Sequence, residues 1–356
     1  MHMADALLSP AVGGTMWAVS AATITFCSSK VRREMDDRKI PLMGVLGAFI
    51  FAAQMINFTI PVTGSSGHLG GGLILSILLG PYAAFLTIAS VLVVQAFFFA
   101  DGGLLALGCN IFNLGFFPAF IAYPLIYKKI VGSTPSPTRI SVASMAAAII
   151  GLQMGAFGVV VETVLSGISS LPFSTFVVIM QPIHLAIGVV EGLVTASVIS
   201  FVGNARPEIL QSAIEARPIG AHPIRTIVLC FLVVSFLTGG VLSWFASEHP
   251  DGLEWSITKV TGKEELKGSE QGIHATLAAL QKKLSFLPDY SFKKTAEAKP
   301  IRIPASPSAG QEQKQEGKRS EGGKLGTSVS GIVGGTMTLG LSFLIGFILK
   351  RRVHTA

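Results

Sequence analysis

Residues 81–100 read PYAAFLTIASVLVVQAFFFA, without one charged side chain. Main-chain polar groups in a hydrocarbon layer roughly 30 Å thick must be satisfied within the segment itself, and about 20 apolar residues in a helix achieve that. The stretch therefore reads as a membrane-spanning helix. Pro81 suits its first turn, where the missing N–H costs nothing. Comparable runs occur at approximately 11–29, 42–60, 104–127, 140–166, 182–203, 226–247 and 327–349. A further run, 70–80, is too short to cross an undistorted bilayer and ends at Gly80-Pro81. The expected fold is an all-α polytopic membrane protein. A seven-segment helical core (1–204) is followed by a cytoplasmic linker (205–225). A two-helix accessory module (226–350) then flanks an extracytoplasmic region (248–326), its helices at 226–247 and 327–349.

Composition agrees. Only 13% of the 356 residues are charged, against roughly a quarter in soluble domains, and the mean hydropathy is +0.61. The net charge of +7 does not point to nucleic acid, because the basic residues sit in short gaps between apolar runs. Lys30, Arg32, Arg33, Arg38 and Lys39 follow the first run, Lys128, Lys129 and Arg139 the fifth, and Arg206, Arg217 and Arg225 the seventh; Lys350, Arg351 and Arg352 come last. The gaps 61–69 and 167–181 hold no lysine or arginine. Short basic loops stay in the cytoplasm. The N-terminus, His68 and Asp101 are therefore expected outside and the C-terminus inside, with run 70–80 counting as a crossing. Cys27, Cys109 and Cys230 have no metal-ligand spacing and read as packing residues. The start, Met1-His2-Met3-Ala4-Asp5-Ala6, lacks the basic region and short apolar core of a signal peptide, so the mature chain is expected to begin at Met1. No phosphate-binding loop of the G-x-x-x-x-G-K-[ST] type occurs. ATP hydrolysis, if used, falls to a partner.

Met1-His2 carries the chemistry. A free terminal amine followed by histidine closes a five-membered ring through the His2 main-chain nitrogen and a six-membered ring through His2 Nδ1. Such planar nitrogen donors suit Ni(II) and Cu(II) over zinc or magnesium. His68, in a glycine-rich loop expected on the same side, is the candidate fourth donor; taken alone, it also reads as an unremarkable loop histidine. His184 is the rival ligand. With Glu191 seven residues on and on the same helix face, it reads as a polar interior pair, since ionisable residues within a membrane span are costly. Glu162, Gln95, Asn110 and Asn113 are expected to bond across helices or to orient the site. Asp101-Gly102-Gly103 reads as an outer turn, and Met3 as packing or a weak axial sulfur.

These residues resemble the CbiM/NikM substrate-capture subunits of energy-coupling-factor transporters for cobalt and nickel. The resemblance is carried by the Met1-to-Pro10 start, Gly64 to Gly72, Leu78-Leu79-Gly80-Pro81, Gln95 through Asp101-Gly102-Gly103 to Asn110, and His184 through Glu191 to Gly192. Residues 226–350 resemble a NikN-type module through Pro250-Asp251-Gly252-Leu253-Glu254. The resemblance implies that Ni(II), or Co(II), is carried as substrate on Met1, His2 and His68, with no organic cofactor. It also implies a CbiQ/NikQ-type coupling subunit and CbiO/NikO-type ATPases. Asp5-Ala6 departs from the acidic-glycine pair common in relatives, and Ala96-Phe97-Phe98-Phe99 is bulkier than their pattern. Two other functions compete. A proton-coupled secondary transporter would use Glu162, His184 and Glu191 as a relay, and a sensor would use 248–326 as its binding domain. Cobalt uptake for cobalamin synthesis is the variant within the first class.

Overall fold

The computed structural model describes residues 2–33, 36–169, 171–215, 217, 224–263, 266, 268–292 and 321–351, with side chains in the last helix from Lys324 to Lys350. The core comprises α1 (Pro10–Arg33), α2 (Lys39–Gln54), α3 (Gly72–Leu79), α4 (Pro81–Phe98), α5 (Leu107–Val131), α6 (Pro137–Ser166) and α7 (Phe173–Ala205). A short α8 (Pro207–Ile214) follows, and α9 (Arg225–Gly240) and α12 (Glu321–Arg351) are the accessory helices. Between those two lie α10 (Gly252–Thr261) and α11 (Gly272–Leu284). Six of these helices are long and apolar enough to cross a membrane. Val178 and Leu193 on α7 and Leu229 on the shorter α9 are each more than half exposed. Six helices of that length and apolarity make the chain a multi-pass membrane protein.

Several boundaries differ from the sequence reading. The run 70–80, expected to be too short to span an undistorted bilayer, is the eight-residue helix α3, buried along its whole length. At 1.5 Å per residue it rises only about 12 Å. It starts deep because the preceding loop is itself sunk, with Ser65, Ser66 and His68 all buried. The run 42–60 is not one helix. It stops at Gln54 and gives way to β1 (Phe58–Ile60), which pairs antiparallel with β2 (Ser65–Gly67), Phe58 opposite Gly67. The β-branched Thr59-Ile60 and the following Pro61 favour an extended segment and a turn there. The gap 167–181 is largely helical, because α7 begins at Phe173 just after extended Pro172. Within α5, residues Phe112–Tyr127 follow wider i→i+5 bonding around Pro118 and Pro124.

The accessory helices pack on α2. Where α9 crosses α12 the main chains touch: a Cβ at Gly331 would stand 2.3 Å from the Gly239 carbonyl oxygen. Small residues allow such close helix packing in lipid. The segment after α9 lies over the mouth of the core. Ser66 donates its N–H to the Pro250 carbonyl at 2.8 Å, Trp255 Nε1 donates to Thr63 O at 3.0 Å, and Gln281 Nε2 donates to Gly102 O at 2.7 Å. The helix α10 starts with a reciprocal cap. Asp251 accepts from the N–H of Leu253 and Glu254, and Glu254 accepts from Asp251 N–H.

Candidate metal centre

The extended segment before α1 is clamped by its main chain. Asn110 on α5 accepts the Met3 N–H at 2.8 Å and donates Nδ2 to Met3 O at 3.3 Å, while Gly103 N–H donates to the same carbonyl at 2.9 Å. The Asp5 carboxylate accepts the Ala106 N–H at 2.9 Å. The Met3 side chain is fully buried in the apolar core. This clamp sets His2 at the mouth. Its Nδ1 lies 2.9 Å from Asp101 Oδ1, and Tyr290 donates its hydroxyl to Asp101 Oδ2. Burial would raise the Asp101 carboxyl, but the charge and hydrogen bond of His2 and the hydrogen bond of Tyr290 outweigh it and hold the carboxyl at about 2. The His2 ring stacks on that of His68, with centroids 4.9 Å apart and planes 17° from parallel.

His68 stands on the loop between β2 and α3. Its Nδ1 donates to the Leu69 carbonyl at 3.1 Å. Burial pushes the imidazole down to about 3, so at neutral pH it is an uncharged nitrogen donor. Its Nε2 lies 4.0 Å from Asp251 Oδ2. The loop is fixed from beneath. Glu191 on α7 accepts the N–H of Gly70 at 2.9 Å and of Gly71 at 3.1 Å. Gln54 donates to Gly70 O at 2.8 Å and accepts from Gln95 at 2.9 Å. Gly71 has φ +76°, a conformation that side chains other than glycine rarely adopt. A cavity of about 900 Å³ opens here, lined among others by His2, His68, Asp101, Asp251, Glu254 and Tyr290.

The structure thus brings His2 and His68 together, while Met1 lies outside the described residues. Among the described residues no three His, Cys, Asp or Glu side chains already hold the geometry of a metal site. One detail departs from the chelate: His2 Nδ1, the atom it needs, is turned to Asp101, and the buried Nε2 has no hydrogen-bond partner among the described residues. Gln95 reaches the glycine loop through Gln54, and Asn110 holds the Met3 main chain. Asn113 does not reach His2 or His68; it donates to Glu162 at 2.7 Å across α5 and α6. His184 and Glu191 are not a pair. His184 Nδ1 donates to Met180 O at 2.8 Å, whereas Glu191 holds the glycine loop. Among the described residues Glu162, His184 and Glu191 make no direct hydrogen bond to one another.

Sequence reasoning missed Asp101, Asp251 and Tyr290. Asp101 was visible only as a turn residue beside Gly102-Gly103. Asp251, followed three residues later by Glu254, carries the signature of a helix start, yet nothing in the sequence aims its second oxygen at His68. Asp101→Asn should weaken metal binding by about 10–100-fold, the usual effect of losing a carboxylate behind a ligating histidine. Equilibrium dialysis against Ni(II) checks this, and an unchanged Kd would remove Asp101 from the site.

Residues 2–209 match the family model described as the cobalt uptake substrate-specific transmembrane region, CbiM, and residues 225–351 match the PDGLE domain. The chain belongs to the CbiM family. A protein of Haloquadratum walsbyi, provisionally named a metal transport protein, is 37% identical over 60% of this chain and 95% of its own. The fused nickel transport protein NikMN of Rhodobacter capsulatus is 30% identical over 59% of this chain and 64% of its own. A crystal structure of a truncated transition metal transporter is 28% identical with a TM-score of 0.51, covering 58% of this chain and 99% of that one.

Proposed function

We propose that this chain is the membrane subunit that captures Ni(II), or alternatively Co(II), for an ATP-driven importer. It is a transport protein rather than an enzyme, as its relatives are named. The supporting observation is the stacked His2–His68 pair at the mouth of the helical core. In this reading the Met1 amine, the His2 main-chain nitrogen, His2 Nδ1 and His68 form a planar nitrogen set, which favours nickel. The fused nickel-transport relatives point the same way. Reaching the chelate requires the His2 side chain to turn about both its Cα–Cβ and its Cβ–Cγ bonds, leaving the Nδ1 contact with Asp101. Nδ1 then faces the ion and Nε2–H donates to Asp101, the carboxylate–histidine–metal arrangement that orients ligands.

The mouth faces outward and the chain's end inward, by the distribution of basic loops. A CbiQ/NikQ-type coupling subunit and CbiO/NikO-type ATPases complete the importer. The capture core spans 1–204, the linker 205–225 and the accessory module 226–350. The test is the metal content and ultraviolet–visible spectrum of the purified protein, beside a variant extended by one residue before Met1. A yellow planar Ni(II) species is expected in the first and its loss in the second. A nickel spectrum indifferent to the extension rules out the amine as a ligand.

A further inference from the structure

A third histidine lines a space next to this centre. His184 on α7 is fully buried. Its Nδ1 contacts the Met180 carbonyl at 2.8 Å, and a carbonyl only accepts, so the ring proton sits on Nδ1 and Nε2 keeps its lone pair. That nitrogen has no hydrogen-bond partner among the described residues. Buried polar atoms are rarely left so, and each exception calls for an explanation. His184 opens on a cavity of about 10 Å³, lined by His68, Asp251 and the glycines Gly67, Gly70 and Gly252 together with the apolar Leu114, Leu152 and Ile187. That is about the room of a single water-sized particle. His2 does not line it.

The arrangement matches that of a metal ligand held ready. Ligating histidines donate their other ring N–H to a carbonyl or carboxylate, which fixes the tautomer. His184 does this through Met180 and His68 through Leu69. Asp251 supplies the oxygen in exchange for present contacts: Oδ1 is engaged by the N–H groups of Leu253 and Glu254, and Oδ2 lies 4.0 Å from His68 Nε2. Two imidazoles and a carboxylate suit borderline divalent ions of the late first transition row rather than Mg(II) or Ca(II), which prefer oxygen sets.

We propose that His184 Nε2, His68 Nε2 and the Asp251 carboxylate form a second, inner station for the transported divalent metal. The proposal rests on the capture reading above, because the two stations share His68. One ion therefore passes between them by exchange of the remaining ligands. The station forms when Asp251 and the two rings close on the ion.

The test uses the full-length protein and Ni(II) alone, followed by equilibrium dialysis and X-ray absorption. His2→Ala removes the outer chelate and should leave binding about 100-fold weaker, with two imidazoles on nickel. Adding His184→Gln should weaken this residual binding by about a further 10-fold or more. His184→Gln alone should keep the tight outer Kd but slow nickel uptake into vesicles by about 10-fold when the partner subunits are present. Residual binding and uptake indifferent to His184→Gln would overturn the inner station and leave a bound water as the occupant of the cavity. Gly252→Ala covers the case in which the histidine variant fails to fold. Its Cβ would stand 2.6 Å from Ile183 Cγ2 and 3.1 Å from His184 Cε1, narrowing the cavity with His184 in place, so it should weaken the same residual binding, and unchanged binding there also overturns the proposal. Retention of tight, wild-type binding by His2→Ala, by contrast, sinks the outer chelate and not the inner station.

Discussion

His2→Ala should cost at least about 100-fold in Ni(II) affinity, beyond the 10–100-fold typical of losing an outer partner. The substitution removes one imidazole donor and the six-membered chelate ring. It also removes the ring that stacks on His68 at 4.9 Å and engages Asp101 at 2.9 Å. The fold should survive, because the segment is held by its main chain: Asn110 and Gly103 grip Met3, not His2. Competition dialysis measures the affinity, and thermal unfolding in detergent checks the fold. Tight nickel binding in a folded His2→Ala protein would refute the proposed donor set.

Glu191→Ala should have the second largest effect. Its carboxylate is the acceptor for the N–H groups of Gly70 and Gly71 at the start of α3. Each buried N–H left without an acceptor costs about 1–3 kcal/mol, so the variant loses about 2–6 kcal/mol of loop stability. His68 sits two residues before Gly70, and its position depends on that loop. Nickel affinity should fall by about 10–100-fold together with the melting temperature. Glu191→Gln keeps one acceptor and should fall in between. A loss of thermal stability without any change in Kd would mean that Glu191 supports the core and does not position His68.

The long apolar helices were legible because lipid imposes one rule on every residue of a span. The run 81–100 gives α4 nearly as read, and the last helix agrees to within a few residues. The short elements were not legible in the same way. The helix α3 and the strand pair at 58–67 owe their form to enclosure by neighbouring helices, and hydropathy cannot separate a buried half-helix from a span. The same division holds at the site. Residue type and chain position were enough to nominate His2 and His68, since chelation by a terminal His is local chemistry. Asp101 and Asp251 reach the site through contacts across 99 and 183 positions of chain, to His2 and His68. Residue spacing carries no trace of contacts that distant. Glu191 was singled out for its cost in a membrane, yet its partner is a pair of main-chain amides, which no side-chain pattern announces.

Pro250 and Asp251 stitch the segment after α9, a lid over the mouth, to the glycine loop. Lid and core belong to one polypeptide, so a detached lid stays at an effective concentration of about 1 mM and returns to its own mouth. Against that local supply, an intrinsic docking constant as weak as about 0.1 mM keeps the mouth covered about nine-tenths of the time. A weak grip therefore suffices to keep the mouth covered. The same lid encoded as a separate polypeptide would need a stronger hold, or far more copies, to do the same.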